Sequence, residues 1–228
     1  NLLDWIAIKI QFPTILIPAQ LFFGDQGTGK GTFVEFLKRL LGSSNIVTIE
    51  NIDTYLDKFN ADMAFKSIKV LEEIEDNGKA YTNHNRIKAD MKKTTDSIED
   101  KYKKALTLKH FSSYIFNTNN KKSLKIEASD RRFTCHMVSD AHADNTEYFD
   151  LIYAELQDVQ FMKNAFEFFA ERKYDKITVR KAFTNQFKIQ QKISDMPIGL
   201  KFIKFFIEEG INKIHCLKDH LVKATYVH

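Results

Sequence analysis

The strongest constraint on this chain is nine residues long: Gly24-Asp25-Gln26-Gly27-Thr28-Gly29-Lys30-Gly31-Thr32. An apolar stretch, Ala19 to Phe23, precedes it and reads as a buried strand. Phe33-Val34-Glu35-Phe36-Leu37-Lys38-Arg39-Leu40-Leu41 follows, with the apolar spacing of a helix and Gly42 as its stop. Strand, glycine loop, lysine and helix form the context that a phosphate-binding loop requires. The glycines let backbone N–H groups turn inward around a polyphosphate, and the helix N-terminus adds partial positive charge. Gly24, Gly27, Thr28, Gly29, Lys30, Gly31 and Thr32 are thus the candidate nucleotide-binding residues, with Lys30 reaching the β- and γ-phosphates of ATP. A plain glycine turn between strand and helix is the alternative.

One position departs from the usual pattern. The residue after the lysine is normally Ser or Thr, whose hydroxyl ligates Mg²⁺. Here it is Gly31, and the hydroxyl comes one residue later, at Thr32. One step along a helix turns a side chain by about 100°. Thr32 is therefore expected to contact a phosphate or to hold the metal through water.

At 228 residues the chain can hold one α/β core and a small second unit. A net charge of +4 is too small for an overall basic field, so a nucleic-acid site must be a local patch. Cys135 and Cys216 are far apart and in no metal-ligand spacing, which fits a reduced, cytoplasmic interior rather than a secreted disulfide framework. Residues 2–23 are apolar but broken by Asp4, Lys9, Pro13 and Pro18, so they read neither as a membrane span nor as a signal peptide. The chain begins at Asn1 in what reads as mid-domain, which suggests a fragment of something larger.

The spacing predicts a short helix over residues 1–11, then strand, loop and helix through Leu41, and a second strand at Ile46–Ile49. Ala64 to Leu71 reads as a third strand despite Lys66 and Lys69. Residues 83–104 read as a helix leading into a hairpin or loop, Tyr114–Phe116 as a fourth strand and Phe133–Val138 as a fifth. From Tyr148 onward, Phe149, Ile152, Tyr153 and Leu156 recur at helical spacing. Alternating strands and helices imply an α/β fold with a mostly parallel sheet flanked by helices. Residues 1–145 are expected to form the core, and 146–228 a helical lid or small subdomain.

After the third strand comes Glu72-Glu73, about 40 residues beyond Lys30. Two carboxylates at the end of a buried strand suit hydrolysis, one holding Mg²⁺ and the other polarising water for attack on the γ-phosphate. Taken alone, this acidic run also reads as the start of a solvated helix. The fourth strand runs into Asn117-Thr118-Asn119-Asn120, where an amide beside the phosphate site can hold the attacking water; a turn capped by asparagines is the alternative. Arg132 follows thirteen residues after Asn119. It is a candidate arginine finger toward a neighbouring subunit, or an ion pair with Asp130.

These parts in order, phosphate loop, two glutamates, strand-Thr-Asn-Asn and Arg-Arg-Phe, resemble the superfamily 3 helicases. The closest resemblance is to the primase-helicase branch of poxvirus-like viruses, virophages and phage primase-polymerases. Phe59-Asn60, and the stretch from Arg86-Ile87-Lys88 through Thr94-Thr95 to Lys101, match as well. In that family the latter stretch precedes a DNA-contacting hairpin. By position the resemblance makes Lys30 the phosphate lysine, Glu72 the metal carboxylate and Glu73 the water-polarising one. It likewise makes Asn119 the sensor and Arg132 the finger. It implies a ring-forming AAA+ ATPase, usually a hexamer, that moves 3′ to 5′ on single-stranded DNA. It also implies a fused N-terminal primase. Gly31 puts the metal coordination in question, and Lys69 suggests a third strand that is only partly covered.

Residues 86–104 carry seven basic side chains against four acidic ones, a net +3, with Tyr102 among the lysines as a stacking face. Lys101, Lys103 and Lys104 are the candidate DNA contacts; a solvated charged helix is the alternative. Lys121, Lys122 and Lys125 form a second basic stretch that faces either a channel or solvent. Nucleoside monophosphate kinases share the Gly-Lys-Gly-Thr register, but the arginine-rich lid and Pro-Arg turns they require are missing. A non-unwinding AAA+ remodelling ATPase would share the ATP site without the basic segment. Residues 196–228 read as helical and fit either a lid or a small DNA-binding unit.

Overall fold

A computed structural model describes residues 2–56, 61–72, 82–98, 106–120, 124–127 and 130–209. Five strands form one parallel sheet: β1 (Ala19–Phe23), β2 (Ile46–Ile49), β3 (Ile68–Leu71), β6 (Ser113–Thr118) and β7 (Phe133–Met137), in the order β2-β3-β6-β1-β7. A separate antiparallel hairpin joins β4 (Thr95–Ile98) to β5 (Leu106–Lys109). The helices are α1 (Leu2–Gln11), α2 (Lys30–Leu41), α3 (Ile52–Leu56), α4 (His84–Asp90), α5 (Thr146–Gln157), α6 (Val159–Glu171), α7 (Lys176–Val179), α8 (Gln186–Ser194) and α9 (Ile198–Glu209). The expected α/β architecture holds.

The sheet is covered on both faces, which explains why its strands read as apolar runs rather than as alternating ones. Ile68, Val70, Ile115 and Phe22 point to one face, packed with Trp5, Ile6, Val34, Leu37 and Phe169 from α1, α2 and α6. Leu71, Tyr114, Phe116, Leu21, Phe133 and Cys135 point to the other, packed with Ile52, Tyr55 and Ile87 from α3 and α4. β1 lies between β6 and β7, with Phe23 opposite Thr118 and Met137. The loop after β1 therefore opens at the centre of the sheet's C-terminal edge. In open parallel sheets that edge is where ligands bind.

α5 and α6 lean on the first helices. The Gln11 side-chain amide donates to the carbonyls of Phe169 and Arg172 at 2.9 and 3.0 Å, and Arg172 pairs with Asp4 at 2.8 Å. Lys9 is fully buried and donates to the Pro13 and Ile15 carbonyls; burial pushes its ammonium down to about 7.

Two expectations about the third strand are corrected. It begins at Ile68 rather than Ala64, because Ala64 and Phe65 form a turn and Phe65 has φ of 56°. Nor is it partly covered: all four of its residues are buried, between β2 and β6. Lys69 is tolerated there because its ammonium lies 3.6 Å from Asp96 and 5.9 Å from the centre of the Tyr114 ring. Elsewhere α2 starts at Lys30, three residues before its apolar pattern, and β6 extends through Asn117 and Thr118.

Candidate nucleotide site at the sheet edge

The loop after β1 owes its shape to two glycines in the left-handed region, Gly27 at φ 75° and Gly29 at φ 92°. Non-glycine residues are rare there. The space around both is also closed. A Cβ on Gly27 would lie 2.1 Å from a carboxylate oxygen of Asp144, and one on Gly29 would lie 2.8 Å from the Phe149 ring. Gly29 precedes α2 without a side-chain cap, and no acidic residue stands in the helix's first turn. The positive helix end thus opens toward the loop without a competing carboxylate from its own first turn. The Thr28 hydroxyl donates to the Asp25 carbonyl at 2.7 Å. Lys30 folds back across the loop, donating to the Gly24 and Asp25 carbonyls at 2.6 and 2.7 Å.

Around this loop lies a cleft of about 630 Å³, walled by residues 26–32, Glu72, residues 117–119, Asp144, Phe149, Asp150 and Tyr153. Its size suits a small-molecule ligand. Glu72 is carried just past β3, where its N–H bonds the Ile49 carbonyl at 2.9 Å. Both of its carboxylate oxygens accept from the Asn117 amide at 3.0 Å. Asn117 is 1% exposed, and its carbonyl oxygen is buried without a hydrogen-bond partner. An orphaned buried acceptor beside a carboxylate at a cleft wall is the kind of group that awaits a ligand. Thr32, in the first turn of α2, borders the cleft with its hydroxyl 3.2 Å from that of Tyr153. Glycine N–H groups, a lysine and a carboxylate therefore suit a polyphosphate with a divalent cation. Lys30 and Glu72 would hold the two, and Thr32 stands close by.

Beyond Phe149 lies an apolar pocket of about 480 Å³ between α2 and the α5–α6 pair. Phe33, Phe36, Ile152, Leu156 and Phe161 line it, with Ser139 and Glu155 as polar members. His142 and Tyr148 stack at 4.0 Å on its rim. Thr28, Gly29, Thr32 and Phe149 border both spaces, so the two adjoin.

The candidates picked from sequence fall in three groups. Gly27, Thr28, Gly29, Lys30, Gly31, Thr32, Glu72 and Asn119 all border the cleft, and Gly24 sits buried at its root, bonded to the Thr118 carbonyl. Asn117, Asp144, Phe149, Asp150 and Tyr153 border it too but were not singled out. Asn117 read as part of a strand's end, and Phe149 and Tyr153 as one apolar helix face. Glu73, Lys101, Lys103 and Lys104 lie outside the described residues, as do Phe59 and Asn60. Only the base of the hairpin is described, with Thr95 opposite Lys109.

Arg132 stands at the other end of the sheet. It precedes β7, and its carbonyl accepts the Ala19 N–H where β1 begins. Asp130, whose side chain is fully buried, accepts the Arg132 N–H at 2.8 Å and pairs with Lys88 at 3.2 Å. The Arg132 guanidinium lies 3.8 Å from the same carboxylate. A strand's length separates it from its own phosphate loop. The hairpin base is tied down nearby: Asp96 accepts from His110 at 2.7 Å and faces Lys69. Burial works against the Asp96 charge, but His110 and Lys69 outweigh it and hold the carboxyl below its usual range. Among the described residues no helix is long and apolar enough to cross a membrane, and no cluster of three or more His, Cys, Asp or Glu side chains could hold a metal.

Comparison with known proteins gives the site a setting. The model of a family of unknown function (DUF5906) matches residues 22–132. The DNA primase-polymerase of Nitratiruptor phage NrS-1 is 37% identical over 136 residues, which are 58% of this chain and 18% of that protein. An apo structure of the NrS-1 C-terminal region superposes with a TM-score of 0.79 at 22% identity, over 93% of this chain and 53% of that one. A second superposes with a TM-score of 0.74 at 26% identity, over 86% and 47%. The chain thus spans less than a fifth of the primase-polymerase and about half of its C-terminal region. It is similar to that phage primase-polymerase and shares the fold of the NrS-1 C-terminal region.

Proposed function

We propose that this chain is the motor of an ATP-dependent DNA helicase, acting in viral or mobile-element replication within the host cytoplasm. The observation that carries the reading is the meeting of Lys30, the left-handed glycines and Glu72 in one cleft, with Asn117 bonded to Glu72. Lys30 and the α2 N-terminus neutralise the phosphate charge. Glu72 holds the divalent ion, and Asn117 fixes the rotamer of Glu72 through its paired hydrogen bonds. Glu73 polarises the attacking water and Asn119 senses the γ-phosphate. Mg²⁺, when bound, draws off the charge that grows on the transferred phosphoryl group. The apolar pocket beyond Phe149 seats the base. Helix α5, which borders both spaces, and α6, which borders the apolar pocket, act as the lid or small subdomain that residues 146–228 were expected to supply.

The placement of Arg132 supports action across a subunit boundary, because a finger at the far end of β7 serves a neighbour's nucleotide rather than its own. A ring, usually of six, follows from that reading, with single-stranded DNA held by Lys101, Lys103 and Lys104, which lie between β4 and β5 in the sequence, and translocation 3′ to 5′. Similarity to a phage primase-polymerase supports a fused N-terminal primase as partner. The test is an ATPase assay with and without single-stranded DNA. Turnover that rises with DNA is the expected result. Phosphoryl transfer to a nucleoside monophosphate would favour the kinase reading. Turnover indifferent to any nucleic acid would favour a remodelling ATPase.

A further inference from the structure

Position 31 lacks the hydroxyl that phosphate loops place directly after their lysine. Packing does not impose the absence, since a Cβ built on Gly31 meets nothing within 4 Å. The neighbouring hydroxyl, Thr32, is not left alone at the cleft wall: it lies 3.2 Å from the Tyr153 hydroxyl, and both side chains border the phosphate cleft. Tyr153 comes from α5, and two contacts hold the start of that helix on the loop. Phe149, one turn earlier, occupies the space beside Gly29, and Asp144 occupies the space beside Gly27. The Asp144 N–H also bonds the Gly27 carbonyl at 3.3 Å. Two hydroxyls that share one hydrogen bond still keep one O–H and several lone pairs for a third partner. The pair thus offers the cleft the same donor and acceptor chemistry that a Ser or Thr at position 31 would provide.

We propose that Tyr153 is a nucleotide-binding residue and that, paired with Thr32, it replaces the hydroxyl missing at position 31. The ligand is a nucleoside polyphosphate with its divalent ion, so the assignment rests on the phosphate-site reading given above. One consequence is structural. A hydroxyl donated by α5 makes the C-terminal helices part of the site wall, so that nucleotide occupancy is felt directly by that unit.

The experiment is equilibrium binding of a non-hydrolysable ATP analogue to the full chain, with and without Mg²⁺. Tyr153 is 40% exposed, so Tyr153→Phe removes one oxygen without opening the core. In Mg²⁺ the variant is expected to bind about fivefold to tenfold more weakly than wild type, the effect of one hydrogen bond. Adding Gly31→Ser to Tyr153→Phe, into space that is open, is expected to recover most of the loss. Tyr153→Phe binding as tightly as wild type overturns the assignment. A loss that Gly31→Ser does not recover also overturns it, because the Tyr153 hydroxyl would then not stand in for the one missing at position 31. Wild-type protein that binds no nucleotide overturns the phosphate-site reading itself.

Discussion

At the C-terminal ends of β1, β3 and β6 the polar side chains turn toward a cleft, whereas at the N-terminal ends they turn toward one another. Lys30 bonds carbonyls of its own loop, and the carbonyl oxygen of Asn117 is buried without a hydrogen bond. At the opposite end Asp130 gathers Lys88 and two backbone N–H groups, Asp96 gathers His110 and Lys69, and Tyr55 donates to Asp90 at 2.9 Å. Both ends are rich in charge, but one closes it among buried neighbours and the other sets it along an open cleft. Stability and activity should therefore respond to different ends of the same sheet. Mutating each end in turn tests that separation.

The largest effects are expected where charge faces a phosphate. Lys30→Ala should reduce ATP turnover at least about a hundredfold, as loss of a positioned donor does, while its unfolding midpoint stays near that of wild type. Arg132→Ala should lose about 10³–10⁵ in rate if the guanidinium serves a neighbour's nucleotide. Mixing the two inactive proteins should restore some turnover, since some interfaces then join an intact loop to an intact finger. Mixtures that remain inactive, with both variants folded and assembled, would place Arg132 among the structural ion pairs and remove it from the site.

The opposite end should answer in stability. Asp130→Ala leaves the nearly buried Lys88 ammonium and the Arg132 and Phe133 N–H groups without their shared acceptor. Removing one partner of a buried pair costs about 3–5 kcal/mol. Urea unfolding followed by the fluorescence of the single, buried Trp5 should report it. A loss below about 1 kcal/mol would mean that Glu127, 3.1 Å from Lys88, suffices alone.

What the sequence made legible follows the same division. β1 and β2 were readable to the residue, and the loop was readable up to Gly29, because buried parallel strands and glycine turns leave local signals. Lys69 was misread because nothing local announces Asp96 and His110, which the hairpin brings over it from later in the chain. Phe65 hid a turn, since an aromatic residue at φ 56° has no signature in composition. Asn117 was hidden in the polar run Asn117-Thr118-Asn119-Asn120, where nothing local tells which amide meets Glu72. Tyr153 repeated at helical spacing with Phe149 and Ile152, and only the packing of α5 on the loop separates a cleft-facing residue from a core-facing one.

A smaller effect tests whether buried polar groups on β7 behave as neutral members of the core. His136 stacks on Phe22 at 4.8 Å and its Nε2 lies 2.8 Å from the Gln20 carboxamide oxygen. Burial pushes its imidazole down to about 4 from 6.5. The folded form therefore resists protonation that the unfolded chain accepts. The stability this residue contributes is complete above pH 6.5 and is lost as pH falls toward 4. After discounting for partial solvation, the loss is roughly 2–3 kcal/mol. The difference between wild type and His136→Gln in unfolding free energy should shift by that amount across the window and stay level above pH 6.5 and below 4. A difference independent of pH would show that the imidazole titrates freely in the native protein.

The smallest effect compares two glycines two residues apart. Gly29 has φ of 92° with Phe149 where its Cβ would be, so Gly29→Ala must strain the backbone and displace the ring that separates the cleft from the apolar pocket. Gly31 lies inside α2 with open space around it and no positive φ. Gly31→Ala should therefore raise stability by about 0.5–1 kcal/mol, because alanine loses less backbone freedom than glycine in a helix. Thermal unfolding of the two single variants gives opposite signs if the loop's shape is set at Gly29 and merely continued at Gly31. Equal destabilisation by both would mean that the loop changes conformation as a unit and that the room beside Gly31 belongs to the ligand rather than to solvent.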